Sequence, residues 1–581
     1  MSLLEPIGST SGEDGIEPGK RLIRVGDDHG LSLSERLFHL LHRLSWRTPF
    51  HSLRLRARFP LKLLAVPKDP VAGDKAAGEA LLGGLFLHGG ASVAVEDVDF
   101  AGGSLPPALS DYLQSFAWLR DLASVATREK GAKSAERIVQ QWLAAHSDQV
   151  TERAWRPDLW GRRILFWTAY APYILSSRDM VYRSAVLHAL ARGARHLDKS
   201  ADKASPGVAR IAAWSGVVAA ALVVQGGPVR LRKGEAGLAR ALAAGLHDDG
   251  GLVSRSPVEQ LALVELLGQL RAVYLAAGHE LPEELEDALS GSVAALLAVT
   301  LGDEALSSWQ GGNMLSKRRI AAAVEGSGVR ARPLRQARGW GYQRLSAKSS
   351  VAVFDAAPPP ASRALVGGCA STLAFELSDG PHRLIVNCGG VGAAATALPR
   401  ELARALRTTA AHSTLTLGDR NSTAIHEDGS LGKGVGQVEL SRDETGGVSQ
   451  VEASHDGYVR RFGLLHQRQL TLSADGRELG GEDKLIAEGG RKRRVELVPF
   501  TIRFHLAPAV EVASTADGQG ALLRIRGGSA WQFRCRGGSL AIEDSLWIDG
   551  EARHHPSLQL VISGESPPDG MTISWVLKRA R

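Results

Sequence analysis

An arginine placed just before a proline-started helix is well suited to taking an anion. In Asp249-Gly250-Gly251-Leu252-Val253-Ser254-Arg255-Ser256-Pro257, the Arg255 guanidinium can grip a carboxylate bidentately. It can equally pair with Asp248 or Asp249. His412, in a strand-like stretch, can act as a base or serve as a hydrogen-bonded structural residue. His455, Asp456 and Tyr458 gather around Gly457 as either a polar site or a tight turn. Tyr342, Gln343 and Arg344 can contact a ligand where the chain changes character, or Tyr342 can simply anchor a first strand. Two basic runs stand apart. Arg491-Lys492-Arg493-Arg494 reads as a solvated loop or strand edge, and Arg54 to Phe59 as a solvated amphipathic face or a contact for an anionic membrane.

The chain that must position these groups has 581 residues, too many for one hydrophobic core. Hydrophobic residues make up 44% and charged residues 23%, as in an ordinary globular protein. A net charge of +7 favours an anionic partner. No zinc-finger, helix-turn-helix or RRM signature marks nucleic acid as that partner. Three cysteines, Cys369, Cys388 and Cys535, fall in strand-like segments and read as buried thiols. No basic and apolar leader is visible near Met1, and the most apolar stretch, Ile211 to Val224, is too short to span a bilayer. The cytoplasm is therefore the expected compartment, with no transmembrane segment.

Residues 1–33 read as a flexible polar tail and residues 34–330 as helices. Leu37, Phe38, Leu40, Leu41 and Leu44 form an early apolar stripe. Ser256-Pro257-Val258-Glu259 predicts an N-cap, a proline at N1 and a capping box, and Gly278 predicts the end of that helix. A further helix starts at Pro282 and ends near Gly302. Past Arg332-Pro333 the period changes to two. Phe500, Ile502, Phe504 and Leu506 alternate with other residues, as do Trp531, Phe533 and Cys535, and Ile573, Trp575 and Leu577. Asp379-Gly380, Asp475-Gly476 and Asp517-Gly518 punctuate these runs as turns. Residues 331–581 therefore read as an antiparallel β-sandwich, and the whole as an α+β multidomain chain.

Several blocks narrow this further. Asp249 to Pro257 resembles the "D-G-G-H-x-S-R-N-P" segment of heparinase II/III-like polysaccharide lyases. Gly341 to Leu345, Leu373 to Leu377, Arg383 to Gly389, Thr409 to Leu415, His455 to Tyr458, Phe462 to Arg468 and Gly481 to Asp483 follow in that family's order. The resemblance implies an incomplete (α/α) toroid packed on a β-sandwich, and β-elimination on a uronate-containing acidic polysaccharide. That reaction needs a group to neutralise the uronate carboxylate, a base and an acid. The resemblance makes Arg255, His412, His455 and Tyr458 the catalytic candidates. Ser254, Tyr342, Gln343, Arg344 and Trp214 become the substrate-binding candidates.

The departures fall at the chemistry. Leu252 stands where relatives often carry His, Val258-Glu259-Gln260 stands where active lyases place a Tyr, and Trp214 is the one large side chain near the position of a neutralising Asn or His. The family's metal positions match Cys369, Ser371, Asn387 and His412, of which only His412 is a strong zinc donor. No metal or other cofactor is expected. An acidic-glycan-binding protein of the same fold, lacking catalysis, is the alternative, and the resemblance implies the periplasm or cell envelope as the alternative compartment.

Overall fold

The computed structural model describes residues 16, 19–25, 55, 62–103, 105–147, 150–151, 153–224, 227–361, 365, 367–390, 398–488 and 496–580. The apolar stripe of residues 37–44 and the basic run 491–494 lie outside the described residues. So does the run 54–59 apart from Leu55, which is buried.

Helices occupy Lys75–Leu82, Pro107–Ser115, Trp118–Val125, Arg128–His146, Pro157–Ala169, Met180–Ser200, Val208–Ala219, Gly227–Gly245, Pro257–Ala277, Glu283–Ala298 and Lys317–Ser327. They form the toroid-like half of an α+β fold. Pro257–Ala277 opens and closes as its sequence directs, with Pro257 in the first turn and Gly278 in the left-handed conformation at φ 69°. The capping box does not form: Ser256 makes no side-chain cap. This helix is long and apolar enough to cross a membrane, yet Leu261, Leu263, Val264, Leu266, Leu267 and Leu270 are core residues. The helical core holds a cluster of aromatic rings. Arg163, fully buried, lies over Trp142 and Trp160 at 4.2 and 4.4 Å and donates to the carbonyls of Gln114 and Ala154.

Among the described residues the strands form two large antiparallel sheets. One runs, in hydrogen-bonded order, Lys20–Arg24, Gln437–Thr445, Val448–His455, Leu464–Leu472, Glu478–Ala487, Gly570–Arg579, Trp531–Arg536, Gly520–Ile525 and Val510–Ser514. The other runs Ser539–Ile548, His554–Ser566, Val498–Leu506, His382–Val386, Phe375–Asp379, Ser350–Asp355 and Tyr342–Ala347, with Leu415–Leu417 also pairing to Val498–Leu506. Their facing sides share one core that includes Phe375, Phe504, Phe533 and Trp575. The three Asp-Gly pairs sit in hairpin turns, with Gly380, Gly476 and Gly518 at φ 53°, 68° and 65°.

Ser350–Asp355 explains how the halves join. Every residue in it is buried. Ala352 and Phe354 enter the sandwich core, while Val351 and Val353 belong to the helical core with Tyr342, Trp309 and Trp340. A strand covered on both faces needs apolar residues in both phases, so alternation disappears here.

Two expectations need correction. Residues 1–33 are not wholly a tail, because Lys20–Arg24 pairs in register with Gln437–Ser441 and caps a sheet edge. The stretch 34–330 is not all helix either. Leu85–His88 and Ala91–Ala94 form a hairpin through Gly89 and Gly90, both with positive φ, and Phe86 buries against Trp118.

Candidate functional site

The loop before Pro257–Ala277 is held tightly. Asp249 accepts from the amides of Gly251, Gly339 and Trp340, and Gln260 clasps Leu252 N, Gly250 O and Ser292 O. Gly251 is required here, because a Cβ would stand 2.2 Å from the Trp340 ring. Leu252, at the histidine position of relatives, is buried in the core.

Arg255 is 3% exposed, with φ 55°. Its Nε donates to Trp340 O at 2.8 Å, its Nη1 to Pro358 O at 2.7 Å, and its Nη2 to Asp355 Oδ1 at 2.6 Å. The guanidinium also lies over the Tyr342 ring at 4.7 Å, and the Tyr342 hydroxyl donates back to Arg255 O. A guanidinium engaged on all three nitrogens has no donor pair for a substrate carboxylate. Its anion is Asp355, not Asp248 or Asp249. Gln343 and Arg344 are struts as well. Gln343 donates to Ala337 O, and Arg344 donates to Ala298 O and Thr300 O at the end of Glu283–Ala298. Trp214 packs against Gly237 and donates to Asp202, within the helical half.

Asp355 continues the network: its Oδ2 accepts from Ser371, whose hydroxyl accepts from Gln310, whose carbonyl receives Cys369 N. His412 lies within the field of Asp355 and is 2% exposed. Its Nδ1 sits 2.7 Å from Thr408 O, which can only accept, so Nδ1 carries the proton and Nε2 a lone pair. Asn387 holds Ser308 O, Ser413 N and the Glu376 carboxyl, which burial pushes up to about 7. Among the described residues no three His, Cys, Asp or Glu side chains converge as metal ligands. Ser371 and Asn387 are spent on protein partners, so this set does not fit zinc.

His455 and Tyr458 lie elsewhere, inside the sandwich. Tyr458 donates to Leu415 O; Asp456 accepts the amides of Gly436 and Gln437 from a segment some twenty residues earlier, while its carbonyl takes Val459 N in the tight turn. His455 Nδ1 accepts Gly457 N, its Nε2 meets His466 Nδ1 at 3.2 Å, and His466 Nε2 meets Asp483 at 2.8 Å. Arg468 bonds both Asp483 oxygens and the carbonyls of Leu373 and Ser413, and Trp575 donates to Asp483 Oδ2. His455 faces His466, and Arg468 faces Asp483, across neighbouring strands. The guanidinium holds the Asp483 carboxyl well below its ordinary range, and burial keeps both imidazoles neutral.

Burial also lowers His412, and His505 to about 3. These four imidazoles bind protons near pH 6.5 once unfolded. Stability is therefore expected to be complete above that pH. It should fall as pH drops toward the folded-state values, by up to about 1.4 kcal/mol per pH unit for each group. Urea midpoints between pH 8 and 5 check this; a flat profile contradicts it.

Sequence reasoning missed Asp355 and Gln310, met Ser371 only as a poor metal donor, and gave His466, Arg468 and Asp483 no role within the blocks that contain them. His466 and Arg468 carried a signal: both occupy the inward phase between Leu464 and Leu470, where polar residues need partners.

Residues 329–576 match the family described as "Heparinase II/III-like, C-terminal". With the relative named next, this places the chain in the heparinase II/III-like family of polysaccharide-lyase-fold proteins. Over 559 residues it is 30% identical to FtsZ-localized protein C of Caulobacter vibrioides, covering 91% of this chain and 92% of that one. Its fold is similar to the crystal structure of heparinase III, with a TM-score of 0.66, 13% identity, and 96% and 93% of the two chains covered. It is also similar to a mutant of the heparan sulfate lyase HepC from Pedobacter heparinus, with a TM-score of 0.57, 14% identity, and 96% and 92% covered.

Proposed function

We propose that this chain is a binding protein built on a lyase fold, which associates with FtsZ in the cytoplasm and does not carry out β-elimination. The observation that carries the reading is the state of Arg255: all three of its nitrogens are engaged by Trp340, Pro358 and Asp355. Tyr458 and His455 are likewise committed to partners inside the sandwich. The name of the Caulobacter relative supplies the partner. Co-sedimentation with purified FtsZ polymers tests it. The protein should pellet with polymer and stay in solution without it, and should release no ultraviolet-absorbing unsaturated uronate from a panel of acidic polysaccharides. Failure to pellet removes the FtsZ reading.

A second reading, β-elimination on a uronate-containing glycan, is favoured by one observation: the His412 Nε2 lone pair has no hydrogen-bond partner among the described residues. Absorbance that grows with time, and that His412→Ala abolishes, would establish it in place of the first.

A further inference from the structure

Among the described residues the two large sheets end on four strands, and three of these ends are closed or guarded. Lys20–Arg24 carries the basic residues Lys20, Arg21 and Arg24, and Val510–Ser514 is only five residues long. Tyr342–Ala347 is met by the loop before it, where Gln336 pairs with Gln343 and Arg335 O takes Arg344 N. The fourth, Ser539–Ile548, runs for ten residues without Lys, Arg or Pro, in unbroken register with its neighbour from Ser539↔Ser563 to Ile548↔His554. The direction of its backbone groups is fixed at one end. Asp549 N donates across the hairpin to Arg553 O, whereas Ile548 N turns outward to Cys388 O. In an antiparallel ladder each residue sends its N–H and C=O to the same side, and the side alternates along the strand. Leu540, Ile542 and Asp544 therefore face outward with Ile548. Asp544 O is taken by Gln559 Nε2. The amides of all three residues, and the carbonyls of Leu540 and Ile542, have no partner among the described residues.

The side chains decide what this edge can take. Leu540 and Ile542 are half-buried against the sandwich core and half open. Glu543 and Asp544 are exposed and make no ion pair with any described residue. Gln559, which faces Glu543 on the neighbouring strand, has a buried Oε1 without a donor. Two copies joined edge to edge about an axis near Ile542 would crowd the carboxylates of both, which costs free energy. Charge therefore selects a basic partner over a second copy.

We propose that Leu540 to Asp544 is a docking edge for an extended basic peptide, which adds a further strand to this sheet. The peptide backbone pairs with the outward groups of Leu540, Ile542 and Asp544. Its apolar residues, at alternate positions, cover the open flank of Leu540 and Ile542. A Lys or Arg of the peptide meets Glu543 and Asp544. The docking edge requires no catalysis, and it does not depend on association with FtsZ.

Fluorescence anisotropy of the full chain with the labelled peptide Lys-Val-Thr-Val-Lys-Val-Thr-Val tests the proposal. One comparison peptide carries Glu in place of Lys. Another carries methyl groups on its backbone nitrogens, which removes the donors of either peptide edge. The parent should bind the lysine peptide at least tenfold more tightly than the glutamate peptide, and methylation should cost at least tenfold. Ile542→Pro deletes an outward N–H without cutting a bond to His554–Ser566, as an edge strand tolerates. It should also lose at least tenfold in affinity. Glu543→Lys/Asp544→Lys should unfold at the parent's temperature, because neither acid holds an ion pair, and should prefer the glutamate peptide. No binding of the lysine peptide at millimolar concentration, equal binding of its methylated form, or an unchanged preference in the double variant each overturns the assignment. So does a dimer of the parent chain in sedimentation velocity that Ile542→Pro dissociates, which gives the edge to a second copy. No FtsZ is present in these measurements, so the two readings fail separately.

Discussion

Arg468→Met is expected to destabilise the β-sandwich by about 3–5 kcal/mol, because it leaves a buried carboxylate without its cation. Arg468 and Asp483 are both fully buried and face each other across neighbouring strands. The same guanidinium holds two backbone carbonyls, so the methionine also orphans the carbonyls of Leu373 and Ser413. For a domain of this size the loss corresponds to about 6–20 °C in unfolding temperature. Near-ultraviolet circular dichroism reports it directly, since Trp575 donates to Asp483. The double variant Arg468→Met/Asp483→Leu should recover part of the loss, because it removes the stranded charge as well. An unchanged melting curve for the single variant would mean that the pair contributes nothing.

The second large effect concerns the joint between the halves. Arg255→Ala is expected to cost about 3–5 kcal/mol by stripping Asp355 of its partner. Asp355 keeps only the Ser371 hydroxyl bond and its backbone contacts. Arg255→Gly should lose slightly less, since glycine accepts φ 55° without strain. The loosened joint should also become cleavable between Ser327, where the last helix of the helical half ends, and Tyr342, where the next sandwich strand begins. Were Arg255 a ligand-binding residue, the variant would keep its stability and its resistance to protease while losing affinity for an anion. Thermal unfolding and limited proteolysis of one preparation distinguish the two.

Why Arg255 misleads a reader of the sequence is instructive. Local signals act over a few residues, and those held: Pro257 and Gly278 bound their helix, and the three Asp-Gly pairs turn their hairpins. Arg255 takes its meaning from Asp355, a hundred residues on, in a strand with no polar alternation to mark it. His455 is similar, since its partner His466 is defined by strand register, which local spacing does not fix. Leu252 was legible as a loss of chemistry but not as a core residue. Lys20–Arg24 went unread because its polar, Gly-rich surroundings resemble a tail and its partner lies more than 400 residues away.

That first strand sets a timetable for synthesis. Lys20–Arg24 leaves the ribosome early, yet its register partner, Gln437–Ser441, follows only after about 400 further residues. At roughly 5–20 residues per second the wait is about 20–80 s, far longer than hairpins need to close. The N-terminal strand must therefore stay single while the helical half and much of the sandwich are made. Until the two strands pair, the backbone of Gln437–Ser441 presents an unsatisfied outer edge to any other extended segment in reach. A fragment cut to begin at residue 331 would carry that open edge permanently, and would be prone to pairing with copies of itself.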